Sequence, residues 1–278
     1  DQNQDVRVIV LRSDGDNFSS GGNIAGFLEE SPEDLTKLAE NVMIPEKLRK
    51  PVIAAIKGYC FGVGFEFALA CDFRVVTHDA QLSLPEMKIG MIPGSGGSAR
   101  LAKMIGISRT KNIIMRGKRL TGQEAYDLGI ACELVSINEL EQTVENLVQE
   151  LINVSPLAQR TMKSVLNHTQ NSTLHGSIEL EGEAYGRLRS SNDFKEGVES
   201  FYKKRKPKFI GSWSKMNKIQ YQNCFVGSNI IRREDDKLIS GKGQFGADIP
   251  LPVDTLHTAV LRSEHASAEI KKIDYERQ

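Results

Sequence analysis

Residues 57–72 read Lys57-Gly-Tyr-Cys-Phe-Gly-Val-Gly-Phe-Glu-Phe-Ala-Leu-Ala-Cys-Asp72, and an apolar run, Pro51-Val-Ile-Ala-Ala-Ile56, leads into them. The apolar run predicts a buried strand over 52–57. Gly58, Gly62 and Gly64 then allow a sharp turn and a close approach of the backbone to another group. Apolar residues at helical spacing follow, interrupted by one acid, Glu66, so a helix is expected to begin near Val63. A strand, a glycine turn and a helix start present unbonded N–H groups and the positive end of a helix dipole. That combination suits an oxygen on which negative charge develops. A carboxylate one turn into an apolar helix is costly to bury without a partner or a purpose. A plainer account also fits these residues alone: a glycine-packed core helix with one hydrogen-bonded acid.

Two further stretches change the weighing. Glu86 stands in Leu82-Ser-Leu-Pro-Glu-Met-Lys-Ile-Gly-Met-Ile-Pro-Gly-Ser-Gly-Gly97, twenty residues after Glu66. Upstream, Phe18-Ser-Ser-Gly-Gly-Asn-Ile24 sets Gly21 and Gly22 just behind a strand. With Leu120–Gly129 and Asn192–Gly211, these stretches resemble the enoyl-CoA hydratase/isomerase (crotonase) superfamily over residues 1–211. Each motif alone is weak, and their combination is specific.

The resemblance implies an α/β fold, a crotonase-like spiral of β-β-α turns followed by a helical part used for trimer assembly. It implies that the backbone N–H groups of Gly22 and Val63 form an oxyanion hole. Val63 stands where the family often has glycine, and Asn23 where it commonly has Asp. Glu66 resembles the base that activates water, and Glu86 the acid that protonates C2. Retention of both acids favours a 2-enoyl-CoA hydratase over an enoyl-CoA isomerase. A non-catalytic acyl-CoA-binding protein is the rival from another class. No separate cofactor is implied, because coenzyme A enters as part of the acyl-CoA substrate. The expected assembly is a homotrimer or a dimer of trimers. Family members also carry a strand pair and a helix ahead of the strand matching Val6–Leu11, which help to build the groove for the nucleotide part of coenzyme A. The crotonase-like domain is accordingly expected to be N-terminally incomplete.

Composition is ordinary for a soluble globular protein. The 278 residues are 40% apolar and 26% charged, and Lys+Arg balance Asp+Glu at 36 each, so no global field recruits nucleic acid or an anionic membrane. The cluster Tyr202-Lys-Lys-Arg-Lys-Pro-Lys208 is either a solvated helix end or a phosphate contact. Cys60, Cys71, Cys132 and Cys224 have no paired spacing, which points to a reducing compartment and a cytoplasmic location. The histidines lack metal-ligand spacing, and no run of about eighteen apolar residues predicts a membrane span.

Along the chain, residues 6–12 predict a central strand, and Glu33–Lys50 a helix broken at Pro45. Strands are expected over 72–77, 80–84 and 131–136. Pro93–Gly97 should open a helix over 98–104. It lacks a P-loop ending, so close packing beside the Glu86 turn is the favoured reading. Helices are expected over 108–117, 121–129, 139–154, 156–167, 174–189 and 193–204, with Thr121 and Glu124 forming a capping box. Two apolar stripes, Val144/Leu147/Val148/Leu151 and Met162/Val165/Leu166, lie where family members pack subunits together. Residues 212–225 predict a linker. Residues 226–278 are similar to the opening of the molybdopterin-binding large subunit of the xanthine dehydrogenase/carbon monoxide dehydrogenase family. They would form a short, partial β-rich tail that is weakly ordered and packs little against residues 1–211.

Overall fold

The computed structural model describes residues 1–213 other than 2, 4, 27, 28 and 30. The expected tail over 226–278, and the linker beyond Trp213, lie outside the described residues. In the central strand β2 (Val52–Ile56) every residue is buried. Complete burial means that its alternate side chains must face two different apolar layers. On one face Val52, Ala54 and Ile56 join Phe65, Leu69, Leu82, Leu84 and Leu101 in the main core. On the other, Ile53 and Ala55 pack with Val75, Leu140 and Val144.

Strand β2 pairs in parallel with β1 (Ile9–Leu11) and with β4 (Phe73–Thr77), and β4 pairs in parallel with β7 (Glu133–Val135). The resulting order is β1-β2-β4-β7. A second sheet has the order β3-β5-β6, from β3 (Tyr59–Phe61), β5 (Gln81–Ser83) and β6 (Arg119–Thr121). Here the spiral becomes visible. Strand β2 in the first sheet is followed by β3 in the second and then by α3 (Val63–Ala70). Strand β4 in the first sheet is likewise followed by β5 in the second, a 3-10 turn at Glu86–Ile89, and helices α4 (Gly97–Ile105) and α5 (Ile107–Ile114). The first such turn follows the same route, with Ser19 bridging in parallel to Cys60 beside β3.

Several expectations need correcting. The strand read as central over 6–12 is short, and it lies at the edge of its sheet with only β2 beside it among the described residues. Its Val- and Ile-rich composition reflects partial cover on both faces, Ile9 and Leu11 packing on the main core and Val8 and Val10 on the second cluster; its residues are half-buried rather than fully enclosed. Strands β3 and β6, three residues each, are too short for a period-2 pattern to register in the sequence. The helix over 33–50 does break, into α1 (Pro32–Val42) and α2 (Ile44–Lys47), with Pro45 near the start of the second piece. The helices α6 (Gly122–Asp127), α7 (Leu140–Ile152), α8 (Pro156–Thr169), α9 (Leu174–Leu188) and α10 (Asn192–Tyr202) fall close to their expected spans. Thr121 and Glu124 form the expected reciprocal cap. The stripe Val144/Leu147/Val148/Leu151 covers the chain's own first sheet, so its apolar spacing is explained without a second subunit. In the other stripe Val165 is buried, whereas Met162 and Leu166 are 49% and 52% exposed.

One buried ion ties the helical part to the sheet. Lys163 on α8 donates to the Pro45 carbonyl at 2.6 Å, the Lys50 carbonyl at 3.0 Å and Asp72 Oδ2 at 2.6 Å. All three ammonium protons are thereby used. Asp72 Oδ2 also accepts from the Val52 N–H at 2.8 Å, fixing the start of β2. Burial nevertheless pushes the Asp72 carboxyl above its ordinary value, with Lys163 acting against it. Replacing Lys163 by Met should leave a buried, unpaired charge and cost about 3–5 kcal/mol. That corresponds to a fall of roughly 10 °C in melting temperature by calorimetry. Because the Asp72 pKa is raised in the fold, the deficit should shrink as pH falls and the carboxyl is protonated. A deficit independent of pH would contradict this account.

Candidate active site

Glu66, on the first turns of α3, is 2% exposed in an otherwise apolar helix. Its carboxylate is satisfied by the glycine loop ahead of α4. The N–H groups of Ser95 and Gly97 both donate to Glu66 Oε1, each at 2.8 Å. Charge-assisted bonds to backbone N–H groups at a helix start are among the stronger hydrogen bonds available to a buried acid. The loop was expected to pack closely beside the Glu86 turn, and it does pack closely, but against Glu66. A Cβ on Gly97 would lie 2.9 Å from Glu66 Cγ. The anion-holding use of Gly94-Ser-Gly-Gly97 is the part that sequence reasoning missed. A glycine-rich helix start was a signal for it, pointing to an internal carboxylate rather than a phosphate.

Glu86 opens the 3-10 turn after β5 and is half-buried. Its Oε2 is buried without a hydrogen-bond partner among the described residues. Burial pushes the Glu86 carboxyl above its ordinary range, and the negative charge of Glu66 adds to the rise. The two acids are thus electrostatically coupled across one site; Glu66 accepts from two N–H groups of a distant loop, whereas the backbone help to Glu86 comes from its own residue and does not offset its burial.

The two glycine turns meet beside these acids. Gly62 adopts φ of 53°, and a Cβ there would lie 3.2 Å from Glu86 Oε1 and 3.8 Å from Gly21 Cα. A Cβ on Gly21 would in turn lie 3.4 Å from the Phe61 carbonyl oxygen. Gly22 and Val63, the next residues on each turn, are therefore brought to the same place as Glu86. Val63 is the first residue of α3 and has no intrahelical acceptor. Among the described residues neither the Gly22 nor the Val63 N–H donates to another protein group. The start of α3 also presses on the first turn: a Cβ on Gly64 would sit 2.3 Å from Ser19 Cβ.

The basic run 202–208 is partly neutralised by α10. Arg205 pairs with both oxygens of Glu196 at 2.5 and 2.8 Å, and Lys203 with Glu199 at 3.4 Å. Among the described residues no group of three or more His, Cys, Asp or Glu is arranged to hold a metal ion. No helix among them is long and apolar enough to cross a membrane.

Comparison with known proteins places this geometry. The family model described as enoyl-CoA hydratase/isomerase matches residues 1–212. A probable enoyl-CoA hydratase of Bacillus subtilis (strain 168) is 36% identical over 216 residues, covering 74% of this chain and 82% of the relative. A crotonyl-CoA hydratase of Syntrophomonas wolfei is 30% identical over 211 residues, covering 74% and 81%. The crystal structure of an enoyl-CoA hydratase from Bacillus anthracis superposes with a TM-score of 0.73 at 31% identity, covering 76% of this chain and 84% of that one.

The raised Glu86 pKa carries a stability consequence. A carboxyl whose pKa is higher in the fold than in the unfolded chain makes the fold more stable when protonated, and that contribution is lost as pH rises. Glu86→Gln should therefore melt higher than the parent at pH 8, by a few degrees at roughly 2–4 °C per kcal/mol. The gain should fade toward pH 4. Equal melting temperatures at both pH values would refute the strained-acid description.

Proposed function

The chain belongs to the enoyl-CoA hydratase/isomerase family, and from that premise we propose that it adds water across the double bond of a 2-enoyl-CoA thioester. The observation that carries this reading is the pairing of two differently held acids beside the Gly21–Gly22 and Gly62–Val63 turns. The Gly22 and Val63 N–H groups polarise the thioester carbonyl, making C3 electrophilic and stabilising the enolate-like oxygen. Prepositioned donors of this kind contribute about 2.7–4 kcal/mol each in other enzymes. Glu66, whose Oε1 is positioned by the Ser95 and Gly97 N–H groups, takes a proton from water as its oxygen bonds to C3. Glu86, whose carboxyl is pushed toward the protonated form, delivers a proton to C2. Environments that separate the two acids in this way support separate acid and base roles.

The test follows the loss of the enoyl-thioester absorbance with crotonyl-CoA. Glu66→Gln and Glu86→Gln should each lower the rate by about a hundredfold or more, with substrate binding little changed. Retention of more than about a tenth of the activity by either variant would remove that acid from its role. Migration of a 3-enoyl double bond without hydration would instead favour an isomerase, and binding without turnover a non-catalytic acyl-CoA-binding protein.

The assembly we propose is a homotrimer, or a dimer of such trimers, acting in the cytoplasm. Its support is the row of large apolar side chains left outward on α8 and α9. Leu166, Leu174, Ile178 and Tyr185 are 52%, 78%, 57% and 64% exposed. Several large apolar side chains exposed on two neighbouring helices favour an interaction surface there. Light scattering at micromolar concentration should give three or six chains, and a clean monomer would exclude it.

A further inference from the structure

Glu66 does not hold its loop alone. Arg100, on α4, donates from Nη1 to the Ser95 carbonyl at 2.7 Å. Ser95 is the residue whose own N–H grips Glu66 Oε1. The other side of the same guanidinium is taken by Glu46 of α2, with Nε to Oε1 at 2.5 Å and Nη2 to Oε2 at 2.9 Å. This is a two-pronged pair, the geometry that fixes a guanidinium in orientation as well as position. The Arg100 side chain is only 12% exposed and that of Glu46 34%, so the pair is partly shielded from solvent.

Helix α2 is four residues long and could not fix Glu46 by itself. It is anchored from α8, where Lys163 holds the Pro45 carbonyl and Asn167 Nδ2 donates to the Glu46 carbonyl at 3.1 Å. A continuous series of bonds therefore runs from α8 through α2, Glu46, Arg100 and the Ser95 peptide to Glu66.

We infer that Arg100 and Glu46 are positioning residues for Glu66, setting the Ser95–Gly97 loop so that its two N–H groups converge on one carboxylate oxygen. The inference rests on Glu66 acting in hydration. A flexible glycine loop has no intrinsic reason to keep two N–H groups aimed at one atom, and a guanidinium locked on the Ser95 carbonyl removes that freedom. Small displacements of a reacting group cost much in rate while leaving substrate affinity nearly untouched.

The experiment pairs kinetics with crystallography on the full chain. Wild-type turnover of crotonyl-CoA is measured first; its absence would defeat the hydratase reading, and the crystals of the variants would then decide whether Arg100 and Glu46 set the loop on Glu66. Given turnover, Arg100→Ala should lower kcat by about 10- to 100-fold with KM within about twofold. Added guanidinium ion should restore part of kcat to Arg100→Ala and none to Glu66→Gln. Glu46→Gln, which keeps the shape of the pair and weakens its charge, should lose less and serves if Arg100→Ala fails to fold. In crystals of either variant the Ser95 and Gly97 N–H groups should no longer both lie within hydrogen-bond distance of Glu66 Oε1. Unchanged contacts to Glu66 in those crystals, with or without turnover, would overturn the inference. So would a loss of rate that guanidinium does not rescue and that tracks a fall in melting temperature.

Discussion

The burial of one carboxylate sets the terms for much of this structure. Glu66 lies 2% exposed in the apolar core, and two backbone N–H groups of a single loop carry its charge. An unpaired charge there would be prohibitive, so the loop, the start of α4 and the first turns of α3 must come together as a unit. Gly97 sits where a side chain would strike Glu66, and Gly64 where one would strike Ser19. The glycines are consequences of that convergence, since only backbone can approach so closely.

Glu86 illustrates the opposite treatment. It lies on the same site, yet one of its oxygens is buried without a partner among the described residues. Satisfying it with another donor would stabilise the fold and flatten the difference between the two acids. Leaving it strained keeps this carboxyl inclined to hold a proton, beside a second acid whose oxygen is satisfied by backbone donors. The division follows from placement: Glu66 faces a helix start rich in free N–H groups, whereas Glu86 opens a 3-10 turn of its own.

The outer layers then serve as supports. Lys163 fastens α8 to both the α2 segment and the entrance of β2. The α7 stripe seals the far face of the first sheet. Because β2 is enclosed on both faces, displacement of either layer would be felt across the sheet and at the turns beside Glu86.

The sequence by itself determined the strand–helix alternation of the first half, the break at Pro45, the Thr121 cap and the helical second half. These are local features, written in spacing, proline chemistry and side-chain reach. It also singled out Glu66, Glu86, Gly22 and Val63, because acids in apolar runs and glycines behind strands stand out one at a time, and their combination resembles a known family. What it could not decide is what each group meets. That β1 is an edge, that the α7 stripe is spent on the chain's own sheet, and that Ser95 and Gly97 hold Glu66 depend on contacts between distant segments. Glu46 and Arg100 lie 54 residues apart and carry no local pattern that links them. Their meeting is fixed by the packing of α2 and of α4 against α3, and only the tertiary structure brings it about.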